Sequence, residues 1–302
     1  MNSFLKTTLV FFALTVLICA QKEQTINKSF ENISKITIDF VLGDCEIVKT
    51  KSDKVDVKLT YSYDNEDFEA IIEERNGKLY LEEEFYDGRR NYDNGDSKWI
   101  IGVPDDIDIE FESATGNLKV VGLSLKIDGN SGTGNLLIED SNGEFELNSG
   151  TGDLMIVKSK GDFNLNSGTG NVEVKESIGK FEANSGTGDV EFKKVNIAKR
   201  SSLNSGTGDV YVSVNSKIEN DLELNSGTGD ATLNMSGQKL DGKFYFSCNE
   251  DRGTIESPVA FDEETETREH GHYVLRKHFT KGSSNVEIKI STGTGTAELE
   301  LK

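Results

Sequence analysis

The sequence predicts an all-β protein: an elongated, parallel, right-handed β-solenoid with coils of 18–21 residues and two short strands in each coil. The first observation behind this is a phrase, Asn-Ser-Gly-Thr-Gly-Asn/Asp, that occurs six times. Its second glycines, Gly134, Gly152, Gly170, Gly188, Gly208 and Gly229, follow one another at intervals of 18, 18, 18, 20 and 21 residues. That period suits β-solenoid coils and is too short for a two-helix repeat. The second observation is period-two alternation after each phrase, as in Leu136 and Ile138, Leu154 and Ile156, or Val172 and Val174, which marks a half-buried strand. The third is a second alternating pair before the next phrase, Phe145 and Leu147, Phe163 and Leu165, Phe181 and Ala183.

Each coil therefore reads as strand, corner, strand and Gly-Thr-Gly corner. Gly143, Gly161 and Gly179 are expected to form the first corner, since glycine accepts positive φ without a Cβ clash. One such coil cannot bury its apolar face alone, so coils must stack with their strands in parallel. Stacking places identical residues above one another, and Asn130, Asn148, Asn166, Asn184, Asn204 and Asn225 are expected to form a ladder of amides. The right-handed sense extends to solenoids the hand of parallel crossovers.

The chain divides by pattern. Residues 1–20 have Lys6 followed by an apolar run from Leu9 to Ile18 and end in Ala20, which reads as a secretory signal peptide too short to span a membrane. Cys19 raises a lipoprotein alternative, the one route by which a membrane would become a partner, but Val16-Leu17-Ile18 lacks the small residue that precedes a lipidated cysteine. Residues 21–28 form a short linker and 29–112 irregular β coils with a cap, including a hairpin at Asn76-Gly77. Residues 113–257 hold the regular array, and 258–302 an inserted loop followed by a capping coil in which Ser291-Thr292-Gly293-Thr294-Gly295 repeats the phrase. Cys45 and Cys248 fall near opposite ends and are expected to stay free and buried.

With 33 basic and 53 acidic residues the net charge is −20, which repels polyanions and excludes nucleic acid as a partner. Most of this charge is expected on the solvent face of the strands, where it keeps a repetitive β protein from edge-to-edge association. The passage from Tyr86 to Trp99 interrupts the strands, and Tyr86, Arg89, Arg90, Tyr92 and Trp99 are the candidate ligand contacts. Aromatic rings and guanidinium groups stack on sugars and bind carboxylates, although Trp99 also fits a strand position.

Serial Ser-Gly-Thr-Gly-Asp/Asn coils after a Val-Pro-Asp turn, in an exported chain with irregular leading strands, resemble the bacterial putative-adhesin β-strand-repeat family, a family of unknown function. The likeness is to the GIN-type autotransporter-adhesin head domain, named after a Gly-Ile-Asn motif, and covers residues 30–302. It implies an adhesin-like module with no established catalytic residues. The stretch from Pro258 to Gly282 departs from the pattern as a long insertion.

No nucleophile elbow, phosphate loop or metalloprotease motif occurs, and the many paired acids, such as Glu82-Glu83-Glu84, are individually uninformative. A calcium β-roll needs Gly-Gly-x-Gly-x-Asp, whereas here the acid directly follows the second glycine and is Asn at Asn135 and Asn171. His270, His272 and His278 lack a third-ligand pattern, so no metal and no cofactor are expected. The reading is a non-catalytic exported module of the periplasm, cell surface or extracellular space that meets a polysaccharide or protein there. A polysaccharide lyase or hydrolase on a β-helix is the alternative, and a calcium-binding β-roll the second.

Overall fold

The computed structural model describes residues 23–64, 66–86, 95–269 and 271–302. The signal-peptide reading and Cys19 lie outside them, as do Arg89, Arg90, Tyr92 and His270. The N-terminal strands are β1 (Gln24–Phe30), β2 (Lys35–Phe40), β3 (Asp44–Lys49), β4 (Val55–Tyr61), β5 (Phe68–Arg75), β6 (Lys78–Phe85), β7 (Ser97–Val103), β8 (Asp108–Thr115) and β9 (Leu118–Val121). The repetitive part alternates longer and shorter strands: β10 (Ser124–Thr133), β11 (Leu136–Glu139), β12 (Asn142–Thr151), β13 (Leu154–Val157), β14 (Lys160–Thr169), β15 (Val172–Lys175), β16 (Ile178–Thr187), β17 (Val190–Ile197), β18 (Ser201–Thr207), β19 (Val210–Val214), β20 (Leu222–Thr228) and β21 (Ala231–Asn234). The C-terminal strands are β22 (Gly242–Asn249), β23 (Gly253–Glu256), β24 (Glu263–Glu269), β25 (His272–Lys281) and β26 (Glu287–Glu300).

Even-numbered strands from β8 to β20 pair in parallel into a long-strand sheet, and odd-numbered strands from β9 to β21 into a short-strand sheet. The register places Asn130, Asn148, Asn166 and Asn184 abreast, one 18-residue period apart. Alternate side chains from the two sheets meet in one thin core. Phe145, Phe163 and Phe181 stack as a column with ring centroids 5.1 and 5.3 Å apart. The next coil brings Ser201 to that level, and Phe192 from the short-strand sheet takes over, packing edge-on against Phe181 at 5.1 Å.

Two details of the coil differ from the sequence reading. Gly143, Gly161 and Gly179 do not turn the chain but lie within β12, β14 and β16. The corner is made three residues earlier by Asp140, Lys158 and Glu176, in the left-handed region at φ 48°, 48° and 51°. The serines that follow accept an amide from the coil before and donate to the carbonyl two residues back: the Ser141 amide donates to Ser159 Oγ at 3.1 Å, and Ser159 Oγ donates to the Val157 carbonyl at 2.9 Å. The repeated phrase also belongs mostly to a strand, because Asn-Ser-Gly-Thr closes β10, β12, β14 and β16 and the bend falls at the second glycine.

Within the phrase the inward residue is serine. Ser149, Ser167 and Ser185 are buried, and each donates to the second-glycine carbonyl one coil earlier at 2.8–3.0 Å. The asparagines point outward and are half-buried or exposed. Their amides do bond coil to coil, with Nδ2 to Oδ1 distances of 2.8–2.9 Å from Asn130 to Asn204, but water competes for them. A third row is formed by the residue after the second glycine: the side chains of Asp44, Asn117, Asn135, Asp153, Asn171, Asp189, Asp209 and Asp230 each accept the amide of the counterpart in the next coil, at 2.7–3.0 Å.

Stacking order departs from chain order at both ends. The first coil, β2 with β3, sits between β6 with β7 and β8 with β9. The last strand, β26, spans both sheets between β20 with β21 and β22 with β23. The C-terminal segment is therefore an interior coil and not a cap. The stretch expected as an inserted loop supplies a hairpin, β24 with β25, that pairs antiparallel onto β22. β5 and β24 are the outermost strands of the long-strand sheet, and Cys45 and Cys248 are free and buried. Asp241 fastens the C-terminal connection: its carboxylate accepts Lys217 Nζ at 2.8 Å and the amides of Ser283 and Ser284, both at 2.9 Å.

Two predictions follow from this geometry. A Cβ on Gly170, at φ 147°, would stand 2.2 Å from the Gly152 carbonyl oxygen, whereas Gly122, at φ 73°, has open space around its Cβ. Gly170→Ala should cost more than about 2 kcal/mol, and Gly122→Asn, which copies the left-handed non-glycine corners of later coils, less than about 1 kcal/mol, as read by denaturant melts. The Lys217 ammonium, followed by the Ser284 and Ser283 amides, lowers the Asp241 carboxyl to about 2 from 3.8. Because the folded-state value is the lower one, this stabilisation is present above about pH 4 and is lost as pH falls towards 2. The gap in melting temperature between the protein and Asp241→Asn should accordingly be widest near neutrality and close at pH 2.

Candidate functional site

The repetitive pattern is broken most strongly at the corner between β2 and β3, where Phe40-Val41-Leu42-Gly43-Asp44 aligns with Ser113-Ala114-Thr115-Gly116-Asn117 of the next coil. On the far side β6 follows β2 only as far as the Asp39–Glu82 pair, and β7 does not begin until Ser97. Among the described residues the corner amides of Val41, Leu42 and Gly43 therefore have no neighbouring backbone to bond on that side. The Glu83 carboxylate takes its place: Oε2 accepts all three amides at 3.0 Å, as an anion in a nest of consecutive N–H groups. Oε1 accepts Ser97 Oγ at 2.6 Å and Trp99 Nε1 at 2.8 Å. Glu83 is 5% exposed.

The surroundings are aromatic. Trp99 is fully buried and stacks on Phe40 with centroids 4.5 Å apart. Its expected role as a ligand contact is thus corrected: its ring offers no face to solvent, and its one polar atom is spent on Glu83. Tyr63 is buried above the same carboxylate, and burial first, then the charges of Glu83 and Asp96, push its phenol up to about 12. Burial, followed by the Glu83 charge, likewise raises the Cys45 thiol. The corner is thus closed, with no exposed nucleophile and with its carboxylate saturated by five donors.

Of the other candidate contacts, Tyr86 is 44% exposed just past the end of β6, and Arg89, Arg90 and Tyr92 lie outside the described residues. Sequence reading passed over Glu83 as one of three consecutive acids. Period two was the available signal, because Leu79, Leu81 and Glu83 share the inward face of β6. Among the described residues no group of three or more His, Cys, Asp or Glu side chains is placed to hold a metal ion.

The outer face of the long-strand sheet is a regular surface. Beside the asparagine row it carries Asp128, Glu146, Asn164, Glu182, Ser202 and Glu223 abreast. Lysines at its margin are occupied by acids, as in Lys180–Glu182 at 2.5 Å and Lys199–Asp162 at 2.8 Å. Such exposed pairs contribute little stability, but they leave an acidic face.

Residues 33–300 match the Toastrack DUF4097 family. The chain belongs to that family. The stacked coils described above are thus a Toastrack domain, and the adhesin-type β-repeat resemblance pointed to this class. The domain is similar to the crystal structure of a "putative adhesin" from Bacteroides fragilis, with 14% identity over 93% of this chain and 98% of that one and a TM-score of 0.45. It is also similar to a "putative adhesin" from Parabacteroides distasonis, with 13% identity over 93% and 98% and a TM-score of 0.47. A "putative lipid binding protein" from Parabacteroides distasonis gives 11% identity over 94% and 98% and a TM-score of 0.39. No curated protein matches the Toastrack chain.

The corner gives a direct test. Glu83→Gln keeps the shape but turns an NH2 group towards donors, so several buried N–H groups lose their acceptor. The variant should lose at least about 2–3 kcal/mol in denaturant melts. Glu84→Gln, on the exposed side of the same strand, should stay within about 0.5 kcal/mol.

Proposed function

We propose that this protein is a non-catalytic, exported binding module of the cell envelope or surface, adhesin-like in role. The observation that carries the reading is that two solvent-facing rows, the asparagines and the Asn/Asp residues after the second glycine, repeat from coil to coil with their polar atoms engaged in bonds between coils. Catalysis requires different groups converging at one place in defined geometry, whereas binding along a surface is served by a rigid, repeated face. The apolar leader from Leu9 to Ile18 supports export, and the acidic net charge supports a partner that is not a polyanion.

The test uses the purified protein with a panel of polysaccharides, peptidoglycan and extracellular matrix proteins. Saturable binding without change in the size of the bound polymer is expected. Time-dependent depolymerisation of any member above a buffer control would replace this reading with an enzymatic one.

A further inference from the structure

The outer face of the long-strand sheet changes character at its C-terminal end. Through the regular coils the row beside the asparagines is Asp128, Glu146, Asn164, Glu182, Ser202 and Glu223, with no aromatic residue. Beyond Glu223 the same row continues as Lys289, Tyr245, His278 and Glu263 on β26, β22, β25 and β24. The asparagine row continues alongside as Ser291, Ser247 and Arg276. Tyr245 is 36% exposed and leans on His278 with centroids 5.8 Å apart. The side chains of Tyr245, Ser247, Lys289 and Ser291 line one shallow depression with Glu223 and Glu263 at its margins.

We propose that this depression is a binding site for a neutral saccharide chain laid across the strands, with Tyr245 as its stacking platform. The proposal rests on the binding-module reading above and gives it a place and a ligand class. An exposed phenol ring supplies a flat apolar face for the C–H side of a pyranose. Neighbouring side chains in the row stand about 4.8 Å apart, the strand spacing, so hydrogen-bonding groups flank the ring on both sides: Lys289 and His278 next to it, and the Glu223 and Glu263 carboxylates one strand further. Donors and acceptors in that mixture suit hydroxyl groups, which are both.

The charge pattern selects neutral sugars. Within the row one lysine and one histidine stand between two carboxylates, so there is no net positive site to hold a uronate. The cations lining the depression are each paired with an acid, Arg276 with Glu269 at 2.9 Å, Lys277 with Glu264 at 3.0 Å and Lys289 with Glu287 at 3.5 Å, and the −20 charge of the whole chain repels acidic polymers. A peptide is the poorer fit. The depression reaches the outermost strand β24, but it presents side chains on the face of the sheet and not the backbone groups of that edge, and it lacks the apolar pocket that anchors side chains.

The experiment is calorimetric titration of the full chain with gluco-, manno-, xylo- and N-acetylated chito-oligosaccharides and with uronate oligomers. Saturable binding is expected for at least one neutral series. Tyr245→Ala should weaken it by at least about tenfold and Tyr245→Phe by less than about threefold, with thermal melts confirming that both variants fold. Lys289→Ala, on a different strand, should also weaken it. Neutral-sugar binding that survives Tyr245→Ala and Lys289→Ala would overturn the site and leave the binding-module reading intact. Binding of uronates alone would overturn the ligand class. If no oligosaccharide binds, the inference fails, and the wider polymer and protein panel then judges the module reading separately.

Discussion

Each coil of this protein approaches the one before it through a glycine that no other residue can replace cheaply. At the second glycine of the phrase the backbone passes so close to the carbonyl of the preceding coil's glycine that a side chain would occupy the space of that oxygen, as the 2.2 Å separation at Gly170 indicates. Parallel coils can therefore keep normal strand spacing through the corner as well as along the strands. The buried serine one turn of phrase earlier then donates to the same carbonyl. Close approach and hydrogen bond use one atom, which ties the serine to the second glycine, while the first glycine closes on its own counterpart, a Cβ on Gly168 lying 2.7 Å from the Gly150 carbonyl oxygen.

The ladders are unequal in energy. A buried serine hydroxyl would lose about 1–3 kcal/mol if its carbonyl were removed, because no water replaces it. The outward asparagines and the acidic row exchange partners with solvent, and each contributes less. Their effect is on alignment, since a slip of one residue would mismatch every rung of all three rows together. Glu83 shows the same requirement where the pattern stops: once β6 leaves the stack, a carboxylate substitutes for an entire neighbouring corner.

Much of this was legible in the sequence, and the failures have physical causes. The period, the alternation in pairs such as Leu154 and Ile156, the hairpin at Asn76-Gly77 and the asparagine rows are local patterns that residue spacing reports. Gly143 was misplaced as a corner because glycine serves both turns and close backbone contacts. Here a Cβ would lie 1.8 Å from the Leu125 carbonyl oxygen, and Asp140, a residue that tolerates the left-handed region, turns the chain instead. Stacking order was not legible at all. Phe244 and Phe246 and also Ile288 and Ile290 match Leu222 and Leu224 in spacing and polarity, so either segment suits the next position. Glu83 was hidden because an acid at an inward position looks like its exposed neighbours until the orphaned amides of another segment are seen.

The interior placement of the first and last coils changes what kind of assembly this is. Nearest-neighbour repeat arrays can grow from one end, each unit being complete once it rests on the previous one. Here β22 with β23 is made before β26 yet lies beyond it, so the rung between them stays vacant until the final residues of the chain arrive. The protein closes like an arch whose keystone is set after its flanks: a chain emerging from its N-terminus already has β20 to β23 available and is still unsealed until residues 287–300 have followed.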